Sequence, residues 1–200
     1  MTDRELGFGD YRIEALSTQT WAAFAALAER HNGVWGGCWC TKFHGDCEGV
    51  DRATLGTREF KRRLVELDRA HAALVFDGDR AVAWAEFGPI DELPDIQHRK
   101  EWEPTVTRRP DFRITCLFVD RDYRRRGMAR LAVQGALLLI GRAGGGLVES
   151  YPHDLAPGKR PSASFLYNAT RSMYEQLGFS YQRPKGLGNC VMTLEVAAGS

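Results

Sequence analysis

Along this chain the apolar positions switch between a period of two and a period of about 3.6, and the switches mark out the elements. Tyr11 to Leu16 alternates as a strand does. Ser17 suits a helix N-cap, and Trp21, Phe24, Leu27, Ala28 and His31 then recur at helical spacing until Gly33 ends the run. Thr57 is placed to cap a second helix, with Phe60, Leu64 and Leu67 turned inward and Lys61, Arg62, Glu66 and Asp68 turned to water. Ala72 to Phe76 and Ala81 to Phe87 read as two strands of a hairpin closed at Asp77-Gly78. Phe112 to Val119 is another strand. Met128 to Ile140 is a helix whose only clearly polar residue after position 130 is Gln134, which predicts burial on two faces. Gly141 and Gly144 to Gly146 close it. Leu147 to Tyr151 is a short strand, Ala169 to Leu177 a helix stopped by Gly178, and Phe179 to Gln182 and Cys190 to Val196 the last strands. The tail from Val196 onward reads as frayed.

The order is strand, helix, helix, three strands, helix, strand, helix, two strands. It predicts a single mixed α/β domain over residues 1–200, without internal repeats. Between the third and fourth strands, residues 89–111 are polar and carry prolines at 89, 94, 104 and 110. Such a stretch reads as a functional insertion or mobile lid, with a short helix from Pro94 to Trp102. Lysine and arginine number 27 against 26 aspartates and glutamates, a net charge of +1, so no global field selects nucleic acid or an anionic membrane. No run of about 18 apolar residues predicts a membrane span. The first residues lack a signal-peptide pattern, and five cysteines is an odd number, so a cytoplasmic chain with reduced thiols is expected.

The sharpest chemical signal is the junction after Val119, Asp-Arg-Asp-Tyr-Arg124-Arg125-Arg126-Gly127-Met128-Ala129. A glycine between strand and helix lets backbone approach a ligand without a Cβ in the way. Successive N–H groups and a helix N-terminus favour phosphate there. The turn is neither a Walker loop nor Gly-x-Gly-x-x-Gly. Its Arg-x-x-Gly-x-Ala spacing resembles the acetyl-CoA loop of the GCN5-related N-acetyltransferase (GNAT) superfamily, and the order of elements is that family's from about residue 10 to 196.

The resemblance implies a GNAT-like fold: a mostly antiparallel central sheet of about seven strands, with a splayed strand pair and flanking helices. It implies acetyl transfer from acetyl-CoA, as cosubstrate, to a primary amine by direct attack in a ternary complex. The pyrophosphate would lie on the N–H groups of about Arg125, Arg126, Gly127, Met128, Ala129 and Arg130, with Arg124 at the signature's first position in the cofactor site. Leu117 and Val119 would pair with pantetheine, and the Val119 N–H would face the thioester oxygen. The run Tyr174-Glu-x-x-Gly-Phe is common in the family, and by position Tyr174 would protonate the departing thiolate. The family's asparagine falls one residue late here, at Asn168, with Tyr167 in its usual place. For the base that relieves the amine of its proton, Glu86 and Glu149 are candidates on apolar strands, with His153 a third.

Cys38, Cys40, His44 and Cys47 bring four ligand-type residues into ten positions. Cys-x-Cys is tighter than structural zinc prefers, so no metal is assigned and packing is expected. By the resemblance, Trp35, Trp39 and Phe43 form an aromatic wall of the acceptor site, and residues 89–111 lie over its entrance, where acidic side chains would attract an amine. An acyl-CoA-binding sensor or scaffold without catalysis remains the alternative. No nucleic-acid or membrane partner is expected; a homodimer is compatible with the sequence, which does not identify the acceptor.

Overall fold

The computed structural model describes residues 6–8, 10–47, 49–155 and 167–199. Eight strands form one sheet: β1 (Leu6–Phe8), β2 (Tyr11–Ala15), β3 (His71–Asp77), β4 (Arg80–Pro89), β5 (Phe112–Val119), β6 (Gly146–Ser150), β7 (Ser180–Lys185) and β8 (Asn189–Val196). Their spatial order is β1-β2-β3-β4-β5-β6-β8-β7. Every pairing is antiparallel except β5 with β6. The helices are α1 (Trp21–Glu29), α2 (Arg52–Glu66), α3 (Arg99–Trp102), α4 (Met128–Arg142) and α5 (Arg171–Glu175). No described helix is long and apolar enough to cross a membrane.

The sheet is covered on both faces, and the strand alternation shows it. Leu74, Phe76 and Trp84 face α1, α2 and the loop after α1. Ala73, Val75, Ala83 and Ala85 face α4. Small residues bring α4 close to the sheet: a Cβ on Gly135 would lie 2.8 Å from Ile13 Cγ2 and 3.1 Å from the Ala73 Cβ. The outer side of α4 stays partly open, with Leu138 38% exposed, so its apolar sequence does not bury two full faces. The tail is docked where fraying was expected: the Gly199 N–H donates to the Gly141 carbonyl at 2.7 Å.

Three local expectations change. Helix α1 starts after Thr20, whose hydroxyl accepts from the Ser17 N–H. Helix α2 starts at Arg52, capped by the Asp51 side chain on the Thr54 N–H, and breaks from helical geometry at Gly56 (φ 73°, ψ 160°). Thr57 caps nothing and donates its hydroxyl to the Gly37 carbonyl. The inward stripe of α2 is therefore Phe60, Lys61, Leu64 and Val65, while Leu67 is 47% exposed.

One irregularity positions the site. Glu86 opposes Cys116 and Phe87 opposes Ile114, leaving Thr115 as an extra residue in β5. Before the bulge Ile114 faces the α4 core; after it Leu117 does, while Cys116 and Phe118 turn to the α1–α2 side. Past the same point β5 leaves β6, the pairing being limited to Phe112–Val148, Arg113–Glu149 and Ile114–Ser150. A wedge opens between the two strands.

Candidate active site

A cleft of about 520 Å³ lies between the end of β5, the start of α4 and the first turn of α5. Its lining includes Leu117, Val119, Arg124, Arg125, Gly127, Met128, Ala129 and Arg130, with Ala169, Thr170 and Met173 opposite. Among the described residues, three arginines and no carboxylate line it. Gly127 (φ 81°) occupies the N-cap of α4 in the left-handed region, and no side chain caps that helix. Its first N–H groups therefore keep no side-chain acceptor within the protein. The space where a Gly127 Cβ would stand is empty to 4 Å. Arg125 also has positive φ, 60°, a conformation a non-glycine residue adopts at a cost. This is a concave, cationic, donor-rich turn, fit for a diphosphate.

Asp120 holds the turn in place, a part the sequence did not single out. It is buried, accepts from Arg80 at 2.8 Å and from Arg30 at 3.5 Å, and takes the Asp122 N–H. Burial works to raise its pKa, but the Arg80 bond and the Asp122 amide outweigh this and hold it below the usual carboxylate range. The Asp120 N–H donates to the Val82 carbonyl, so by alternation the Val119 amide faces away from β4, toward the cleft.

Other expected ligands are elsewhere. Arg126 does not line the cleft; its guanidinium lies over the Tyr123 ring at 5.3 Å. Asn168 is buried on the far side of Tyr167, its amide donating to the Tyr151 carbonyl. The one-residue displacement of the motif carries it off the cleft. Leu117 lines the cleft, but its N–H donates to the Tyr167 carbonyl at 2.6 Å. The protein's own backbone thus takes the bond expected for pantetheine.

Tyr174 is fully buried just below the cleft, edge-on to Phe179 (4.9 Å, 89°), and its hydroxyl has no hydrogen-bond partner. Burial raises its pKa above 10, with Ser150 beside it pulling the other way.

Neither glutamate stands as a free base. Glu86 is buried, with Lys61 Nζ at 2.5 Å and His44 Nε2 at 3.1 Å from Oε1, and it accepts the Thr115 hydroxyl at 2.9 Å on Oε2. Burial would raise its pKa; the Lys61 ammonium and the His44 bond outweigh it and hold it at about 2. A carboxylate that acidic and that enclosed takes no proton from an amine. Lys61, expected in water, is instead the buried counter-ion that ties α2 and the Cys40–His44 loop to the sheet. Glu149 accepts from Trp102 Nε1 at 2.6 Å and from the Tyr151 hydroxyl at 2.5 Å. Burial raises its pKa, but it anchors the insertion and does not line the cleft. His153 is buried edge-on to Tyr167 at 5.6 Å.

On the other side of Trp35 is a second pocket of about 240 Å³, lined by Trp35, Cys38, Cys40, Lys42, Phe43, Gln97, Cys116 and Tyr167. Trp35 and Phe43 line this pocket with aromatic rings. Trp39 does not: it is buried among Trp21 and Phe24, beneath Arg58. Cys40 is in contact with the Cys116 thiol and accepts from Trp84 Nε1, so it packs against the sheet. The insertion reaches this pocket only through Gln97. It is tied down by Asp95 N–H to the Phe43 carbonyl, by Trp102 on Glu149, and by Arg183 on the Thr105 hydroxyl. Its acidic side chains lie outside the pocket.

The arrangement has counterparts in solved structures. A GNAT-family protein from Desulfovibrio desulfuricans superposes with a TM-score of 0.54 at 15% identity, over 94% of this chain and 99% of that one. The ribosomal-protein-S5-alanine acetyltransferase of Vibrio fischeri gives 0.54 at 12% identity, over 97% of each chain. At these identities the likeness is one of fold. No curated protein matches the sequence. The profile of the Acetyltransferase (GNAT) family matches residues 39–146, from the aromatic loop through α4. With more than half of its length inside that match, this chain belongs to the GNAT family.

Proposed function

We propose that this protein transfers an acetyl group from acetyl-CoA to a primary amine. The observation that carries the reading is the uncapped, arginine-lined turn around Gly127, opening on the wedge between β5 and β6. The diphosphate sits on the N–H groups from Arg124 to Arg130, and pantetheine runs along the end of β5. To reach the wedge it takes over the Leu117 amide from Tyr167. The amine nitrogen attacks the thioester carbon, negative charge builds on the carbonyl oxygen, and the Val119 N–H is aimed to stabilise it. Collapse breaks the carbon–sulfur bond, and the sulfur takes the Tyr174 proton. The proton that the amine sheds passes to water, since the described residues lining the second pocket include no carboxylate or imidazole.

The test is Gly127→Glu, which places a carboxylate where phosphate must lie. Calorimetry should find acetyl-CoA binding abolished in a variant that remains folded by circular dichroism, and thiol release should cease with it. Unchanged affinity would overturn the reading. A second reading, acyl-CoA binding without turnover, is favoured by one observation: the Tyr174 hydroxyl does not line the cleft. Tight acetyl-CoA binding with no thiol release on any amine would select it.

A further inference from the structure

Among the described residues, no carboxylate lines the second pocket. Tyr167 is stacked on Phe43 (6.2 Å, 27°) and edge-on to Trp35 (6.4 Å, 73°), so three aromatic rings stand around one small space. Cysteine side chains complete the lining, and Gln97 and the exposed Lys42 supply its polar groups. At about 240 Å³ it is smaller than the roughly 300 Å³ at which pockets begin to take drug-sized ligands. Trp35 lines both this pocket and the acetyl-CoA cleft, and Cys116 precedes Leu117 directly on β5. An amine held here is adjacent to the wedge.

We propose that the acceptor is an aryl-bearing monoamine: a primary amine on a short carbon chain, attached to an aromatic ring and carrying no second positive charge. The inference rests on the acetyl-transfer reading above. The aromatic faces hold the aryl ring of the acceptor. The same apolar surroundings disfavour its charged form and release the free amine, which is the nucleophile. That removes the need for a side-chain base at this pocket. A second ammonium would find no carboxylate in the lining and would meet Lys42. Polyamines and aminoglycosides are thereby rejected on charge, and a peptide N-terminus on volume.

Binding can be measured without turnover. In calorimetric titrations of the full-length protein, 2-phenylethylamine should bind at least about tenfold more tightly than spermidine or an alanine-initiated tripeptide. Tyr167→Ala should weaken 2-phenylethylamine at least about tenfold, and Phe43→Leu, a milder change that retains an apolar fill, should weaken it severalfold. Lys42→Glu should raise affinity for spermidine. The proposal is overturned if spermidine or the tripeptide binds as well as 2-phenylethylamine. It is equally overturned if 2-phenylethylamine gives no saturable binding, or if both ring variants, folded by circular dichroism, bind it as the parent does. Acetyl-CoA titrated in parallel separates the two readings: acetyl-CoA binding without amine binding defeats this inference alone. Amine binding without acetyl-CoA binding defeats the reading beneath it.

Discussion

Replacing Lys61 by methionine keeps most of the side chain's apolar stem and removes the ammonium beside a fully buried carboxylate. Glu86 would then keep only His44 and the Thr115 hydroxyl. With Lys61 in place, Glu86 titrates at about 2 against an ordinary value of 4.5. By linkage that difference corresponds to about 3 kcal/mol of stability at neutral pH. Breaking a buried ion pair from one side typically costs about 3–5 kcal/mol, which agrees. In a chain of this length such a loss lowers the melting temperature by about 10 °C. Pairing the change with Glu86→Gln should restore about 2 kcal/mol, because the double variant buries no unpaired charge and the amide can still meet His44 and Thr115. The sign of the pH dependence is also set. Glu86 is held below its ordinary value, so its contribution is complete above pH 4.5 and is lost as pH falls toward 2. His44 is held below 6.5, by burial first and by Lys61 second, so it also favours the folded chain at higher pH. Parent stability should therefore decline on acidification, from about pH 6.5 downward. Lys61→Met should be less sensitive to acidification, because the loss of the Lys61 ammonium makes it easier for His44 to take a proton and pair with Glu86. Thermal melts and urea titrations across this range read both effects. A loss under about 1 kcal/mol, or a double variant as weak as the sum of its parts, would refute the assignment of Lys61 as counter-ion.

Two further outcomes follow from the geometry. Tyr174→Phe should lower kcat by about 10²–10⁴-fold while leaving acetyl-CoA affinity nearly unchanged, as measured by thiol release and calorimetry, because the hydroxyl acts only as sulfur leaves; a rate within twofold of the parent would return Tyr174 to packing alone. Gly135→Ala should cost about 1–3 kcal/mol in urea unfolding, since its Cβ would stand 2.8 Å from Ile13; no loss would show that α4 can lift from the sheet.

Much of this was legible in the sequence, for identifiable reasons. β5 and α4 carry strong and opposite periodicities, so their junction could be placed, and with it the Gly127 turn. The hairpin of β3 and β4 was marked by its glycine. What failed depended on partners distant in the chain. Lys61 reads as a wet residue by type; only Glu86, brought across from β4, makes its burial tolerable. In α2, Phe60, Leu64 and Val65 make a better stripe at helical spacing than Phe60, Leu64 and Leu67, and Lys61 lies within it. Glu149 looked like a base because its strand is apolar, but its partners are Tyr151 and Trp102, one of them in the insertion. Asn168 was assigned by motif with an offset of one residue, enough to turn its side chain to Tyr151. Trp35 and Trp39 are four residues apart in one loop, and backbone turns through positive φ at both decide which of them faces the pockets.

The most direct test is amide hydrogen exchange of the protein with and without acetyl-CoA. The N–H groups from Arg124 to Arg130 lack side-chain caps, and the Val119 amide faces the cleft. Acetyl-CoA should slow exchange in peptides covering 119 and 124–130, with smaller changes around Ala169 to Met173 across the cleft. Exchange unchanged over 124–130 at saturating acetyl-CoA, or protection confined to another surface, would contradict the assignment of this turn as the acetyl-CoA site.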